Sequence, residues 1–164
     1  MANRNEHLVV VMVEPASAQE FEIWPLHITL VPWFPCADEG RLDKTLQLIA
    51  NRHKPFKVEA GSVEEWGRQE KFQVQLVKDN ENINNLHLDI FGTLENNDFP
   101  IHQKDFLGKK YKPHLTLRNR YQRSQQLPEG TEIAVEKFAL IKQIRLKKTG
   151  TMIKSVAKEY VLNG

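Results

Sequence analysis

The chain has 164 residues, 40% hydrophobic and 27% charged, with a formal net charge of +2. That length suits one domain, or two small lobes sharing a core, with the composition of an ordinary soluble globular protein. With no run of eighteen apolar residues there is no candidate membrane-spanning helix, and the single Cys36 excludes an internal disulfide and, with no second Cys near a His, gives no zinc pattern.

In chain order, HLVVVMV at 7–13 is a continuous β-branched and apolar run, the mark of a strand buried on both faces. It is too short and too strand-like for a secretory signal, so a cytoplasmic location is expected. Pro25 precedes a strand over 26–31 that Pro32 is expected to close. Asp38 fits the N-cap of a helix over 39–52, where Leu42, Leu46 and Ile49 recur at helical spacing. FKVEA and FQVQLV alternate apolar and polar residues and predict strands over 55–62 and 72–78. A second helix is predicted over 80–94, capped by Asn80, with Ile83, Leu86, Ile90 and Leu94 in one stripe. The segment 95–110 lacks a period and reads as a loop, followed by a strand over 111–118 and a loop over 119–130. A long hairpin, 133–147 with 151–162, turned by Lys148-Thr149-Gly150, ends the pattern.

Two of these strands carry the same tripeptide form, His27-Ile28-Thr29 in LHITLV and His114-Leu115-Thr116 in PHLTLR. Alternation sends His and Thr to one face of a strand and the apolar partner to the other. From the numbers of His and Thr, chance supplies about a quarter of one His-x-Thr in such a chain, so two copies in matching apolar strands are a signal. A helix accompanies each motif strand, an imperfect internal echo that suggests one motif per lobe across a shared cleft.

Charge is distributed unevenly. Residues 1–103 carry a net −7 and residues 104–164 a net +9. The basic part begins just before the second motif, which suggests a polyanionic ligand on that side.

Two imidazoles across a cleft suit acid–base chemistry at neutral pH, because a pair holds one neutral and one charged ring at once. In-line hydrolysis of a phosphodiester needs that combination. Thr29 and Thr116 would supply donors to the phosphoryl oxygens, aided by Arg118. Neither motif has an Asp, Glu or Cys recurring beside it, so a metal site is the weaker reading and no cofactor is expected.

The contexts PLHITLV and YKPHLTLR, about ninety positions apart, resemble the 2H phosphoesterase superfamily, in particular its branch of 2′-5′ RNA ligases and RNA 2′,3′-cyclic phosphodiesterases. The resemblance implies an α+β, bilobal, pseudo-twofold fold: two antiparallel sheets flanking a cleft, helices outside, all within 1–164. It implies that His27 and His114 are the catalytic acid and base, with His114 leaning to base and His27 to acid, and that Thr29 and Thr116 bind phosphate. It further implies metal-independent action on RNA or a nucleotide with a 2′,3′-cyclic phosphate, sometimes with reverse 2′-5′ ligation. A 2′-5′ phosphodiesterase or 3′ exonuclease, and a non-catalytic RNA-binding module, are the alternatives; a monomer is expected.

Two features depart from the usual family pattern. The link ASAQEFEIWPL is short where many relatives have a helix, and Pro32-Trp33-Phe34-Pro35 is unusually aromatic. Trp33, Phe34, Tyr111 and Tyr121 are candidates to stack on a nucleobase, each with core packing as its plainer role. His7, His53, His87 and His102 carry less promise: a buried strand, a helix end, a position off the apolar stripe and a loop.

Overall fold

A computed structural model describes residues 6–16, 18–119 and 122–164. Ten strands and two helices follow in the order β1 (Glu6–Met12), β2 (Glu20–Phe21), β3 (His27–Pro35), α1 (Glu39–Ala50), β4 (Phe56–Trp66), β5 (Phe72–Val77), α2 (Glu81–Asn96), β6 (His114–Asn119), β7 (Gln122–Arg123), β8 (Glu132–Val135), β9 (Lys137–Arg145) and β10 (Met152–Val161). Both helix caps form as their sequences predict. The Asp38 carboxylate accepts from the Arg41 N–H, and the Asn80 side chain accepts from the N–H groups of Asn82 and Ile83. Neither helix is long and apolar enough to cross a membrane.

Every pairing is antiparallel, in the order β2-β10-β9-β1-β3-β6-β5-β4-β8, with β7 on β6. Two five-stranded halves meet at β3 and β6, joined by a single registered pair, Ile28 with Leu115. The motif strands are therefore the inner strands of the two lobes. Leu42, Leu46 and Ile49 of α1 and Ile83, Leu86, Ile90 and Leu94 of α2 bury their stripes against Val9, Val11, Ile28, Leu30, Leu115 and Leu117 in the main core. Since Ile28 and Leu115 face the helices, alternation leaves the motif His and Thr on the helix-free face.

Several predicted boundaries shift. Pro32 does not close β3, which continues to Pro35. Two irregularities against β1 insert extra β3 residues, and β6 no longer pairs with β3 there, so no partner misses the proline N–H. The segment 133–147 is two strands, not one: β8 pairs with β4 at one edge of the sheet, and after Glu136 the chain crosses to pair β9 with β1 in the other lobe. Local alternation is indifferent to which neighbour a strand chooses. The second motif strand begins at His114 and not at 111, and the predicted loop 119–130 contains β7.

Part of the charge asymmetry along the chain is offset in space. Lys104 pairs with Glu95, Lys112 with Glu64, Lys142 with Glu39 and Lys158 with Asp43. Adjacent packing of early and late elements interleaves the two signs.

Candidate active site

The Ile28–Leu115 pair fixes the geometry of the site. Extending that register one residue each way sets His27 opposite Thr116 and Thr29 opposite His114. Each His then has the other motif's Thr as its opposite residue, and the two histidines are diagonal partners, residues roughly 7–8 Å apart with Cβ atoms somewhat closer. Sequence alternation selected these four residues; antiparallel pairing brings them together.

The two imidazoles are held in the same way. His27 Nδ1 lies 2.8 Å from the Pro25 carbonyl, and His114 Nδ1 lies 2.9 Å from the Lys112 carbonyl, in each case two residues back. A carbonyl only accepts, so Nδ1 carries the proton and Nε2 is left to exchange protons in the neutral ring. Among the described residues neither Nε2 has a hydrogen-bond partner, nor does the hydroxyl of Thr29 or Thr116. A tryptophan flanks each ring: Trp24 at 4.3 Å from His27 and Trp66 at 4.6 Å from His114, centroid to centroid.

Burial distinguishes the two. His27 is 7% exposed, whereas His114 is half-buried. Desolvation pushes the His27 pKa down to about 4; the hydrogen bond to Pro25 opposes this and the charge of His114 adds to it. His114 is also lowered, chiefly by burial, with Lys112 opposing a second positive charge. Deeper burial makes His27 the less readily protonated of the two rings.

Other expected site residues are placed differently. Between Thr116 and Arg118 the β5–β6 register slips, Thr116 opposing Val74 and Arg118 opposing Gln73, and this bulge re-aims the Arg118 side chain. Arg118 lines a separate groove with Glu65, Gln73 and Arg123, which none of the four motif residues lines. Phe34 is fully buried on the helix side, packed against Phe99, and has no face to offer a base. Trp33 packs beneath Trp24 on a smaller core of Leu8, Val10, Phe21, Ala139 and Ile141. Tyr111 lies under the site: its ring stacks on His87 at 3.8 Å and its hydroxyl donates to the Thr29 carbonyl at 2.8 Å. Tyr121 lies outside the described residues.

Four contributors were not evident from the sequence. Trp24 and Trp66 flank the rings; Gln122, buried on β7, lies 3.4 Å from the same Pro25 carbonyl that holds His27. His87 is the fourth, fully buried. Its Nδ1 donates to the Leu30 carbonyl at 2.7 Å and its Nε2 accepts the Gly108 N–H at 2.9 Å, an arrangement that requires the neutral ring. Burial accordingly lowers its pKa. His87 thus ties α2, the segment after it and the first motif strand together. The expectation that it lies off the apolar stripe does not hold: four residues after Ile83 and three before Ile90, it shares the buried face of α2.

Among the described residues no group of three His, Cys, Asp or Glu side chains converges as a metal-binding set. What the arrangement offers is two Nε2 atoms and two free hydroxyls on one face, a set of proton-transfer groups and donors around one bound group.

No curated protein sequence matches the chain. Its fold is similar to a solved phosphoesterase, with TM-score 0.67 and 14% identity, covering 98% of this chain and 99% of that one. TT0787 of Thermus thermophilus is similar at TM-score 0.65 and 20% identity, covering 97% and 98%. E. coli LigT complexed with NADP+ is similar at TM-score 0.64 and 14% identity, covering 99% and 100%. The sequence pattern of the 2′-5′ RNA ligase superfamily matches residues 13–148, a span holding both motif strands and the pairing that joins them. With that match over most of its length, the chain belongs to the 2′-5′ RNA ligase superfamily of 2H phosphoesterases.

Proposed function

We propose that this protein opens 2′,3′-cyclic phosphates on RNA ends or nucleotides, with His27 as general base and His114 as general acid and with no metal ion in the reaction. The observation that supports this best is the matched pair of rings, each held at Nδ1 and each with Nε2 free, on strands joined at Ile28 and Leu115. Binding of phosphate and of 3′-AMP by E. coli LigT, solved in complex with each, fits a phosphate-bearing nucleoside in such a cleft.

In the proposed reaction the Thr29 and Thr116 hydroxyls donate to the non-bridging oxygens of the cyclic phosphate, where charge builds as attack proceeds. Neutral His27 takes a proton from water at Nε2. The water oxygen bonds to phosphorus as the bond from phosphorus to the ribose 3′-oxygen breaks, and protonated His114 gives its Nε2 proton to that oxygen. One water is consumed, and a 2′-phosphate with a free 3′-hydroxyl is left. A 5′-hydroxyl in place of water yields a 2′-5′ linkage by the same steps. These roles reverse those that the family resemblance suggested, because the deeper burial of His27 disfavours its protonated form.

The test is turnover of 2′,3′-cyclic nucleotides, of an oligoribonucleotide ending in a cyclic phosphate and of a 2′-5′-linked oligomer, all in EDTA. Turnover of the cyclic phosphates, lost in His27→Ala and in His114→Ala, is expected. Activity that EDTA abolishes, or that survives either substitution, refutes the two-histidine reaction. RNA binding with no turnover of any ester assigns the protein to the binding-module alternative.

A further inference from the structure

The two lobes offer unequal surfaces beside their histidines. Trp24 and Trp66 are both half-buried, but on the His27 side the neighbours of Trp24 lie inward: Phe21 at 5.2 Å and Lys154 are buried, and Trp33 at 6.2 Å packs on the small core. On the His114 side, the aromatic surface continues outward. Trp66 lies against His114, its indole N–H donates to Glu64 at 2.8 Å, and Lys112 Nζ sits 5.3 Å from the ring centroid. Phe106 stacks on Trp66 with centroids 6.1 Å apart and planes 22° from parallel.

Phe106 is unusual in two respects. It is 61% exposed, the sole aromatic among the large exposed apolar side chains of the described residues. Its φ is +61°, a left-handed conformation that bulky side chains rarely adopt. The residues on either side of it are tied to the fold. Gly108, also left-handed at φ +64°, donates to buried His87, the Leu107 N–H reaches the Lys104 carbonyl at 3.4 Å, and Lys104 pairs with Glu95 of α2 at 2.7 Å. Strain of this kind, placed next to an active site, is where function is expected. An aromatic ring already stacked on a second ring at the surface offers a flat ligand a platform of two faces side by side.

We propose that the Phe106–Trp66 surface is the nucleobase subsite and that Phe106 is its specificity-determining residue. This rests on the phosphoesterase reading of the same cleft. Base stacking on aromatics tolerates different bases, and a purine offers more area than a pyrimidine. Placing the nucleoside on this lobe also points the departing ribose oxygen at His114 and leaves the water to approach from the His27 side, in agreement with the acid and base roles assigned above.

The test is calorimetric binding of adenosine 2′-monophosphate, uridine 2′-monophosphate and a base-free ribose phosphate to the full chain and to Phe106→Ala and Phe106→Tyr. Phe106→Ala should weaken the adenosine ligand about tenfold, the uridine ligand less, and the base-free ligand not at all. Phe106→Tyr, which keeps the ring, should restore affinity. On cyclic nucleotides Phe106→Ala should raise KM and leave kcat unchanged. Equal affinity of all three proteins for the adenosine ligand, equal loss for the base-free ligand, or no binding of the nucleotides by the unaltered protein overturns the proposal. Selective loss in Phe106→Ala together with no turnover of any ester keeps the subsite and removes the phosphoesterase reading instead.

Discussion

Protonating His27 should cost the fold measurable stability. An imidazole in the unfolded chain titrates near 6.5, whereas burial holds this ring at about 4. As pH falls below 6.5 the unfolded chain takes up a proton that the folded chain refuses, so stability drops through the window from 6.5 to about 4 and levels off below it. At 1.36 kcal/mol per pH unit the loss amounts to about 3 kcal/mol. Burial also lowers His87 and His114, and they act in the same direction, so the whole protein's pH profile does not isolate His27. The comparison that isolates it is urea denaturation at several pH values for the unaltered protein and for His27→Asn. The variant should lose about 3 kcal/mol less between pH 6.5 and 4. Carbon-13 NMR of the imidazoles, read in the same window, should find His27 neutral at about pH 5.5 and taking up its proton after His114 as the pH falls. The same order should give kcat/KM a bell shape whose acid limb lies near 4, with apparent values belonging to the pair. A His27 resonance that titrates near 6.5, or a variant with an unchanged pH slope of stability, refutes the burial account and the base assignment built on it.

Four further outcomes follow from the same contacts. Thr29→Val and Thr116→Val keep shape and remove a hydroxyl, and each should lower kcat about a hundredfold with an unchanged near-UV circular dichroism spectrum. Trp24→Ala uncovers His27, and its pKa should rise from about 4 towards 6.5 in an NMR titration. His87→Leu leaves the buried Leu30 carbonyl and the half-buried Gly108 N–H without their partner, and urea denaturation should register a loss of about 2–3 kcal/mol. Tyr160→Phe removes only the hydrogen bond to Asp43, 2.9 Å long and remote from the motif strands, and should cost about 1 kcal/mol with turnover intact.

The chain itself determined the parts that depend on near neighbours. The helical stripes, the caps at Asp38 and Asn80, and the placing of His and Thr on one strand face all follow from spacing along a few residues, and they are where the sequence puts them. Long-range pairing decided the rest. Arg118 follows Thr116 by two residues and by alternation belongs on its face, but a bulge against Gln73 turns it into another groove. Phe34 and Trp33 are adjacent aromatics of one strand, and only the sheet they join sends one into the helix-side core and the other under Trp24. Trp66 stands apart from His114 in the chain and Phe106 from Trp66; β4 turning back on β5 brings the first two together, and the segment after α2, anchored by His87, sets Phe106 on Trp66. The two His-x-Thr tripeptides singled out the groups proposed to react. Which ring is buried, and what lies beside each, depends on contacts between residues distant in sequence, which no local pattern encodes.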